Sequence, residues 1–291
     1  MPSLHVVDAT YELFRAYTAV PSMPSPDKVE VNGIYGLIST ILKLLRGDDV
    51  THVACATDHV VESFRNAMFD GYKTGEGLPE ALGAQFPLAE EALRALGLVV
   101  WPMVEFEADD ALATASTLYA PHFERIVICT PDKDLAQSVK GNAVVMWDRR
   151  REKVYDELGV LAKWGVLPRA IPDYLALVGD TADGIPGVPA WGAKSSANVL
   201  GAYGTVEAIP SDPDEWTCKV RGAKRLAASL VEHREAALLY KQLATLRADV
   251  PLAEDADALE WQGGPREPFK AFCARLGFNR LAERPHRWAG E

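Results

Sequence analysis

The residues best suited to chemistry in this chain are carboxylates, and three of them stand together in Glu107-Ala108-Asp109-Asp110. Apolar side chains recur at helical spacing from Ala108 to Leu118, which predicts that a helix begins here. Acids in a first turn interact favourably with the helix dipole, by roughly 0.3–1 kcal/mol each. Three acids in four residues are more than a helix start requires. Like charges packed together repel each other, which favours a bound cation. The four residues alone fit a helix start and a metal site equally well.

More acids follow the predicted strands. Three short apolar segments end in an aspartate, namely 4–8 in Asp8, 52–58 in Asp58 and 125–132 in Asp132. Asp134 lies on the turn into the next helix, and the acids at 107–110 follow a fourth strand at 98–101. The carboxyl ends of parallel strands share one edge of an open α/β sheet, where ligands bind. We therefore expect these acids to converge at that edge.

Clustered carboxylates without histidine or thiolate ligands favour hard cations, Mg²⁺ or Mn²⁺. Two such ions about 3.5–4 Å apart stabilise the attacking and leaving oxygens of a phosphoryl displacement. The chemistry indicated is hydrolysis of a phosphodiester by water. A phosphatase with an aspartate nucleophile at a strand end is an alternative that the acids alone leave open.

A glycine-rich turn at 179–194 lies between helices predicted at 168–178 and from residue 195 onward, which is the layout of a helix-hairpin-helix. Glycines let the backbone approach a phosphate, and the amides at a helix start can bind it. Such contacts recognise shape and phosphate and not sequence. Asp180 and Asp183 in this turn are placed to join the metal site, and Lys194 adds local positive charge. A plain tight loop between helices is the alternative explanation.

The elements that must position these residues alternate between strand and helix up to about residue 155, which predicts a parallel sheet flanked by helices. Within this region we also expect a helix from Gly33 to Arg46 capped by Asn32, a helix at 87–97 and a strand at 143–148. After it, only helices and the turn are expected. The predicted domains are an α/β core at 1–155, a helical region at 156–250 and a tail at 251–291 that packs on the core through an amphipathic stripe.

The 291 residues carry a net charge of −11, which by itself disfavours a nucleic-acid partner. Nine of the 41 acidic residues are the candidate metal ligands; without them, 32 acids face 30 basic residues, so the charge does not exclude nucleic acid. No run of about 18 apolar residues and no signal peptide is seen. Four widely spaced cysteines favour a cytoplasmic location.

An ordered set of motifs over about residues 4–285 resembles the 5′-nuclease (flap endonuclease) family, in particular the bacterial 5′→3′ exonuclease domains. The motifs are Val7-Asp8, Arg15-Ala-Tyr17, Asp58, Ser63-Phe-Arg65, Tyr72-Lys73, Glu107-Ala-Asp-Asp110, Asp132-Lys-Asp134 and Gly179-Asp-x-x-Asp183 running into Ile185-Pro-Gly-Val188. The resemblance implies a PIN-like α/β core that carries a helix–two-turn–helix DNA-binding motif at about 168–203.

The resemblance also implies the roles of individual residues. A first divalent ion is expected at Asp8, Asp58, Glu107, Asp109 and Asp110, and a second at Asp132, Asp134, Asp180 and Asp183. Asp109 and Asp132 are expected to be essential for catalysis, Lys73 and Arg65 to contact the scissile phosphate, and Tyr72 to stack on a base. A K⁺ ion is expected at the hairpin. Further DNA contacts are expected from Arg15, Gly184, Ile185, Gly187, Val188, Gly192 and Lys194.

Three features depart from the family pattern. Glu76 replaces an arginine, the segment 74–91 expected to arch over single-stranded DNA is acidic, and Asp183-Gly184 replaces Asp-Asn. The expected function is a metal-dependent, structure-specific 5′ nuclease that cleaves flap, nicked, gapped or RNA-primed DNA in replication and repair. No polymerase domain follows, so we expect a free-standing monomer. The alternative is a non-catalytic protein that binds DNA junctions.

Overall fold

Short apolar runs rich in valine and isoleucine form the strands of the computed structural model, which describes residues 2–291. In chain order the strands are β1 (Ser3–Asp8), β2 (His52–Asp58), β3 (Val99–Met103), β4 (Arg125–Cys129), β5 (Val144–Asp148) and β6 (Lys153–Tyr155). The α-helices are α1 (Ala9–Ala19), α2 (Asn32–Leu44), α3 (Glu80–Gly83), α4 (Phe86–Ala95), α5 (Ala108–Leu118), α6 (Glu157–Trp164), α7 (Ile171–Val178), α8 (Ala193–Tyr203), α9 (Ala223–Glu232), α10 (Arg234–Ala244) and α11 (Arg266–Leu276).

The chain forms two compact units, each made of segments that are separate in sequence. Unit 1 contains residues up to 61 together with 75–130 and 248–291, and unit 2 contains 62–74 and 131–247. The predicted domains were continuous segments, and the predicted boundaries near 155 and 250 stay predictions. Among residues 2–291, no helix combines the length and apolarity that crossing a membrane requires.

Unit 1 is built on parallel strands in the order β3-β2-β1-β4. The strands are nearly continuous apolar runs and are buried, as parallel strands covered by helices usually are. Their register sets Asp8 opposite Ala56 and Asp58 opposite Met103, so both acids lie at the carboxyl edge of the sheet. Helix α1 packs on α2, and α5 packs on β1, β2 and β3.

Unit 2 is mainly helical, with α7 packed against α8 and α10. Strands β5 and β6 form an antiparallel pair in which Met146 lies opposite Tyr155. The sequence analysis did not predict β6, because this strand has three residues, two of them exposed, and shows no apolar run. The predicted strand at 143–148 is present as β5.

One prediction about unit 1 is wrong in detail. Asn32 does not cap α2: it lies within the helix, and its Nδ2 donates to the carbonyl oxygens of Tyr17 and Val20 at 2.9 Å. Part of the segment 74–91, predicted to arch over single-stranded DNA, is packed: Gln85 is buried, and its Oε1 accepts a hydrogen bond from the Ile34 amide at 3.2 Å. The arch itself stays a prediction. Residues 86–91 belong to α4, whose apolar side packs on α2.

The tail of the chain belongs to unit 1. Trp261 donates from Nε1 to the carbonyl oxygen of Leu96 at 2.9 Å, and Phe269 and Phe272 on α11 are buried. Burial of two large aromatic side chains removes enough apolar surface from water to hold the tail in place.

Candidate metal centre

Asp8 and Asp58 end neighbouring strands of unit 1 and are fixed there by hydrogen bonds. Asp8 caps α1 by accepting from the Tyr11 amide at 2.8 Å, and its other oxygen accepts from Thr130 Oγ1 at 2.9 Å. Asp58 Oδ1 accepts from the amide of Ala108 at 2.8 Å, which joins the end of β2 to the start of α5. The predicted meeting of strand-end acids with the 107–110 segment is therefore present for Asp58.

The acids at the start of α5 differ in environment. Asp110 is fully buried, and its Oδ2 accepts from the Glu107 amide at 3.0 Å, so it serves the helix start as a cap. Glu107 is also buried, whereas Asp109 is half-buried. The helix-start interpretation of this segment is therefore present in the capping role of Asp110, and the metal-site interpretation stays a prediction.

Unit 2 contains a compact set of three carboxylates, Asp134, Asp180 and Asp183, which we call the aspartate triad. One carboxylate oxygen from each lies within 4.8 Å of the others. Asp134 is only 5% exposed, and its Oδ1 has no hydrogen-bond partner. A buried polar atom without a partner is costly, and a cation would satisfy it.

The elements of unit 2 explain why the triad assembles. Asp180 follows directly after α7 and Gly179, and its backbone exchanges two hydrogen bonds of 2.7 Å with Ile185 across the hairpin turn. Asp134 opens the short 3-10 helix Asp134–Ser138, and its amide donates to Asp132 Oδ1 at 3.0 Å. Asp132 is predicted to bind the second divalent ion together with these residues. It lies beside the triad but is not one of its three members.

Electrostatics show how strongly charge is concentrated here. Burial raises the pKa of Asp134 well above its ordinary value, and repulsion from Asp132 and Asp183 adds to this effect. The side chain of Asp132 is exposed, yet the protein packed around its carboxyl group raises its pKa as well. Oxygen donors with excess negative charge are the ligands that Mg²⁺ and Mn²⁺ prefer, so the triad fits a hard divalent cation.

Two lysines contact the triad. Lys73 Nζ lies 2.9 Å from Asp183 Oδ1, and the Lys73 amide donates to the Asp183 carbonyl oxygen at 3.0 Å. Lys133 Nζ forms an ion pair with Asp180 Oδ2. Burial alone would lower the pKa of Lys133, but Asp180 and the adjacent acids outweigh it and raise the pKa. The sequence analysis did not assign Lys133, although its place between Asp132 and Asp134 was a signal.

The hairpin presents its backbone rather than its apolar side chains. The side chains of Ile185 and Val188 are buried, so the DNA contacts predicted for these two residues are open only to their main chain. Gly184 has φ of +74°, and a Cβ there would lie 2.1 Å from the Gly71 carbonyl oxygen. Only glycine therefore fits this position of the hairpin without a shift of the backbone. Gly192 and Lys194 are exposed at the start of α8.

Three other predicted DNA contacts are revised by burial or pairing. Arg65 is 1% exposed, and its guanidinium donates to the carbonyl oxygens of Leu243 at 2.8 Å and Thr245 at 3.2 Å, so it cannot reach a phosphate in this structure. Tyr72 is 4% exposed and therefore does not offer a ring face for stacking on a base. Arg15 is half-buried and bonded to Glu12 and Thr40.

A parallel sheet with acids at its carboxyl edge, together with an aspartate triad in unit 2 that fits a divalent cation, defines an α/β protein with a candidate metal centre. The chain belongs to the 5′-3′ exonuclease family. The model of the "5'-3' exonuclease, N-terminal resolvase-like domain" matches residues 3–165, and that of the "5'-3' exonuclease, C-terminal SAM fold" matches residues 166–267. The family resemblance and the fold class expected from the sequence are thereby confirmed.

Characterised relatives of this chain include DNA polymerases. The chain is 32% identical over 287 residues to DNA polymerase I of Bacillus caldotenax and 33% identical over 285 residues to that of Bacillus subtilis (strain 168). Each alignment covers 97% of this chain and 32% of the relative. The chain therefore spans about a third of the length of these relatives.

Solved structures share the fold. The T5 D15 protein co-crystallised with metal ions matches with a TM-score of 0.70 and 19% identity, covering 97% of this chain and all of the other. The catalytic core of Rad2 in complex with DNA substrate matches with a TM-score of 0.63 and 18% identity, covering 97% and 90%. At these identities the likeness shows the fold alone.

Proposed function

We propose that this chain is a divalent-metal-dependent, structure-specific 5′ nuclease, a 5′→3′ exonuclease and flap endonuclease that hydrolyses phosphodiester bonds at DNA junctions. The observation that carries the proposal is the aspartate triad with its unpartnered, buried Asp134 Oδ1, in a chain of the 5′-3′ exonuclease family. Flapped, nicked, gapped and RNA-primed duplexes are the proposed substrates. The relatives that act on DNA support this choice.

We assign one Mg²⁺ or Mn²⁺ ion to each unit. Asp8, Asp58, Glu107, Asp109 and Asp110 would hold the ion of unit 1, and the triad with Asp132 would hold that of unit 2. Bound ions of this kind stabilise the negative charge on the attacking and leaving oxygens of the phosphodiester. The solved relative with bound metal ions supports a divalent cofactor, and the choice between Mg²⁺ and Mn²⁺ is part of the proposal.

Side chains and backbone groups of this chain would hold the DNA. Lys73 is 28% exposed, so a phosphate oxygen could replace Asp183 as the partner of its ammonium group. The start of α8 offers backbone amides beside the exposed Gly192 and Lys194, which suits a phosphate of the duplex. Gly184 and Gly187 have positive φ and shape the hairpin turn, where the family resemblance places a K⁺ ion. A cytoplasmic location agrees with the free thiols of Cys55, Cys129, Cys218 and Cys273.

The test is cleavage of an end-labelled 5′-flap duplex in Mg²⁺, in Mn²⁺ and in EDTA, with the product lengths read on a gel. Asp134→Asn should lower the cleavage rate about a hundredfold or more, because even the outer partners of a metal ligand contribute 10–100-fold. Asp214→Asn, the same chemical change at an exposed site of unit 2, is the control and should cleave normally.

Cleavage that persists in EDTA, or an Asp134→Asn variant with full activity, would contradict the proposal. A protein that binds flap DNA in Ca²⁺ but never cleaves it in Mg²⁺ or Mn²⁺ would instead be a non-catalytic junction-binding protein.

A further inference from the structure

Both oxygens of Asp180 are already engaged by groups of unit 2. Its Oδ1 accepts from the amide of Ala182 at 3.0 Å, and its Oδ2 is paired with the Lys133 ammonium group. An ion that binds Asp180 must therefore use an oxygen that carries a hydrogen bond. Of the two partners, the side chain of Lys133 can leave with less change, because it is 33% exposed and flexible, whereas the amide is part of the hairpin backbone.

Asp183 is in a similar situation. Its Oδ1 lies 2.9 Å from Lys73 Nζ, and Lys73 is also partly exposed. Each lysine thus neutralises one carboxylate of the triad, and Asp134 is left with the unpartnered oxygen. A divalent ion at the triad would carry the same sign of charge as both ammonium groups and would repel them strongly at this distance.

We propose that Lys133 and Lys73 are internal counter-cations of the aspartate triad, and that a divalent ion binds by displacing their ammonium groups from Asp180 and Asp183. The inference rests on the proposed metal site of unit 2. It assigns to Lys133 a positioning role that sets ion affinity, and it links ion binding to the release of Lys73. Lys73 then becomes free to contact a phosphate only when the ion is bound.

The experiment is a titration of Mn²⁺ followed by electron paramagnetic resonance of the free ion. It compares the wild type with Lys133→Met, which keeps the length of the side chain and removes its charge. Lys163→Met is the matched control, because it also removes one charge from unit 2. Lys163 Nζ lies 4.3 Å from the centre of the Tyr155 ring and 4.1 Å from the centre of the Trp164 ring. Asp134→Asn identifies which binding event belongs to the triad.

Lys133→Met should bind Mn²⁺ at the triad about tenfold more tightly, because a competing charge is gone, and Lys163→Met should stay within about twofold, as screened, distant charges do. Lys133→Gln repeats the test should the methionine variant fold poorly. Triad affinity that is unchanged or weaker in the Lys133 variants would overturn the inference. A wild type that binds no Mn²⁺ would contradict the metal-dependent function itself.

A second readout follows the lysines directly. Acetylation of the Lys73 and Lys133 amines, measured by mass spectrometry, should become several times faster when Mn²⁺ saturates the triad, while Lys163 keeps its rate. Equal rates with and without Mn²⁺ would show that the ammonium groups stay on the aspartates, and the inference would fail.

Discussion

Arg65 lies inside unit 2 as a link between chain segments that are far apart in sequence. Its Nε and Nη2 satisfy the carbonyl oxygens of Leu243 and Thr245, and its guanidinium stacks 4.6 Å from the centre of the Phe64 ring. Carbonyl oxygens that lose such a donor while buried each cost about 1–3 kcal/mol. The residue therefore acts on the stability of unit 2.

Arg65→Met should lower the free energy of unfolding by about 2–4 kcal/mol, because the buried carbonyl oxygen of Leu243 and the part-buried one of Thr245 lose their donor. Lys73→Met should change it by less than about 1 kcal/mol, since partly exposed ion pairs contribute little. Chemical denaturation of both variants measures the difference. An Arg65→Met protein that is as stable as the wild type, and only binds DNA less well, would restore Arg65 as a phosphate contact.

Asp148 provides a prediction for acid stability. Burial alone would raise the pKa of this carboxyl group, but hydrogen bonds from the Arg151 side chain and amide, at 2.9 and 3.0 Å, hold the pKa below its ordinary value. The stabilisation is complete above the unfolded pKa and is lost as pH falls through the lower, folded pKa. Asp148→Asn should therefore cost about 1–2 kcal/mol at pH 7.

Urea denaturation at pH 7 and at pH 2.5 measures this effect. The difference in stability between Asp148→Asn and the wild type should shrink at the lower pH, because stabilisation by the charged carboxylate is lost as pH falls through its lowered, folded pKa. A difference that is equal at both values would show that the charge of Asp148 does not contribute.

At the scale of elements, the hairpin between α7 and α8 depends on close approach of two backbones. Gly184 has no room for a Cβ beside the Gly71 carbonyl oxygen and has a positive φ, whereas Gly201, within α8, has no neighbour within 4 Å of a built Cβ. The two glycines lie in the same unit and differ in the space available for a Cβ and in the sign of φ. They form a matched pair for substitution.

Gly184→Ala should destabilise unit 2 by about 2 kcal/mol or more through backbone strain and steric overlap, and weaken binding of duplex DNA. Gly201→Ala should be neutral or raise stability by about 0.5–1 kcal/mol, the usual gain within a helix. Thermal unfolding and fluorescence anisotropy with labelled DNA measure both effects. Equal behaviour of the two variants would contradict the close approach at Gly184.

Elements that follow simple patterns were predictable from sequence, and those set by distant contacts were not. The parallel strands of unit 1 are continuous apolar runs, and β1 and β2 end at Asp8 and Asp58 as predicted. The packing of residues 74–91 depends on the hydrogen bond between Gln85 and α2. No local sequence pattern predicts this contact. Strand β6 is too short for a period of two to be recognised.

The candidate site also contains residues that the sequence could identify and contacts that it could not. Carboxylate chemistry and spacing identified Asp134, Asp180 and Asp183, which the structure brings together. Sequence could not show that Arg65 and Tyr72 are buried, because burial of a charged or amphipathic side chain depends on long-range packing. The ion pair of Lys133 with Asp180 joins residues 47 positions apart in sequence and was equally hidden.

At the scale of the whole molecule, bound cations would offset the acids of the site and so reduce the repulsion between DNA and a net charge of −11. Nine candidate ligands contribute most of this excess, and they are divided between the two compact units. An ion that binds only the folded protein also stabilises it, by about 2.7 kcal/mol at a concentration a hundred times its Kd. Under the proposed function, cation binding would therefore connect folding with DNA binding and catalysis.

The most direct test of this account is anomalous diffraction from crystals of the protein soaked in Mn²⁺. The account predicts an anomalous peak bonded to carboxylate oxygens of Asp134, Asp180 and Asp183. A map with no peak at these three residues at saturating Mn²⁺ would contradict it.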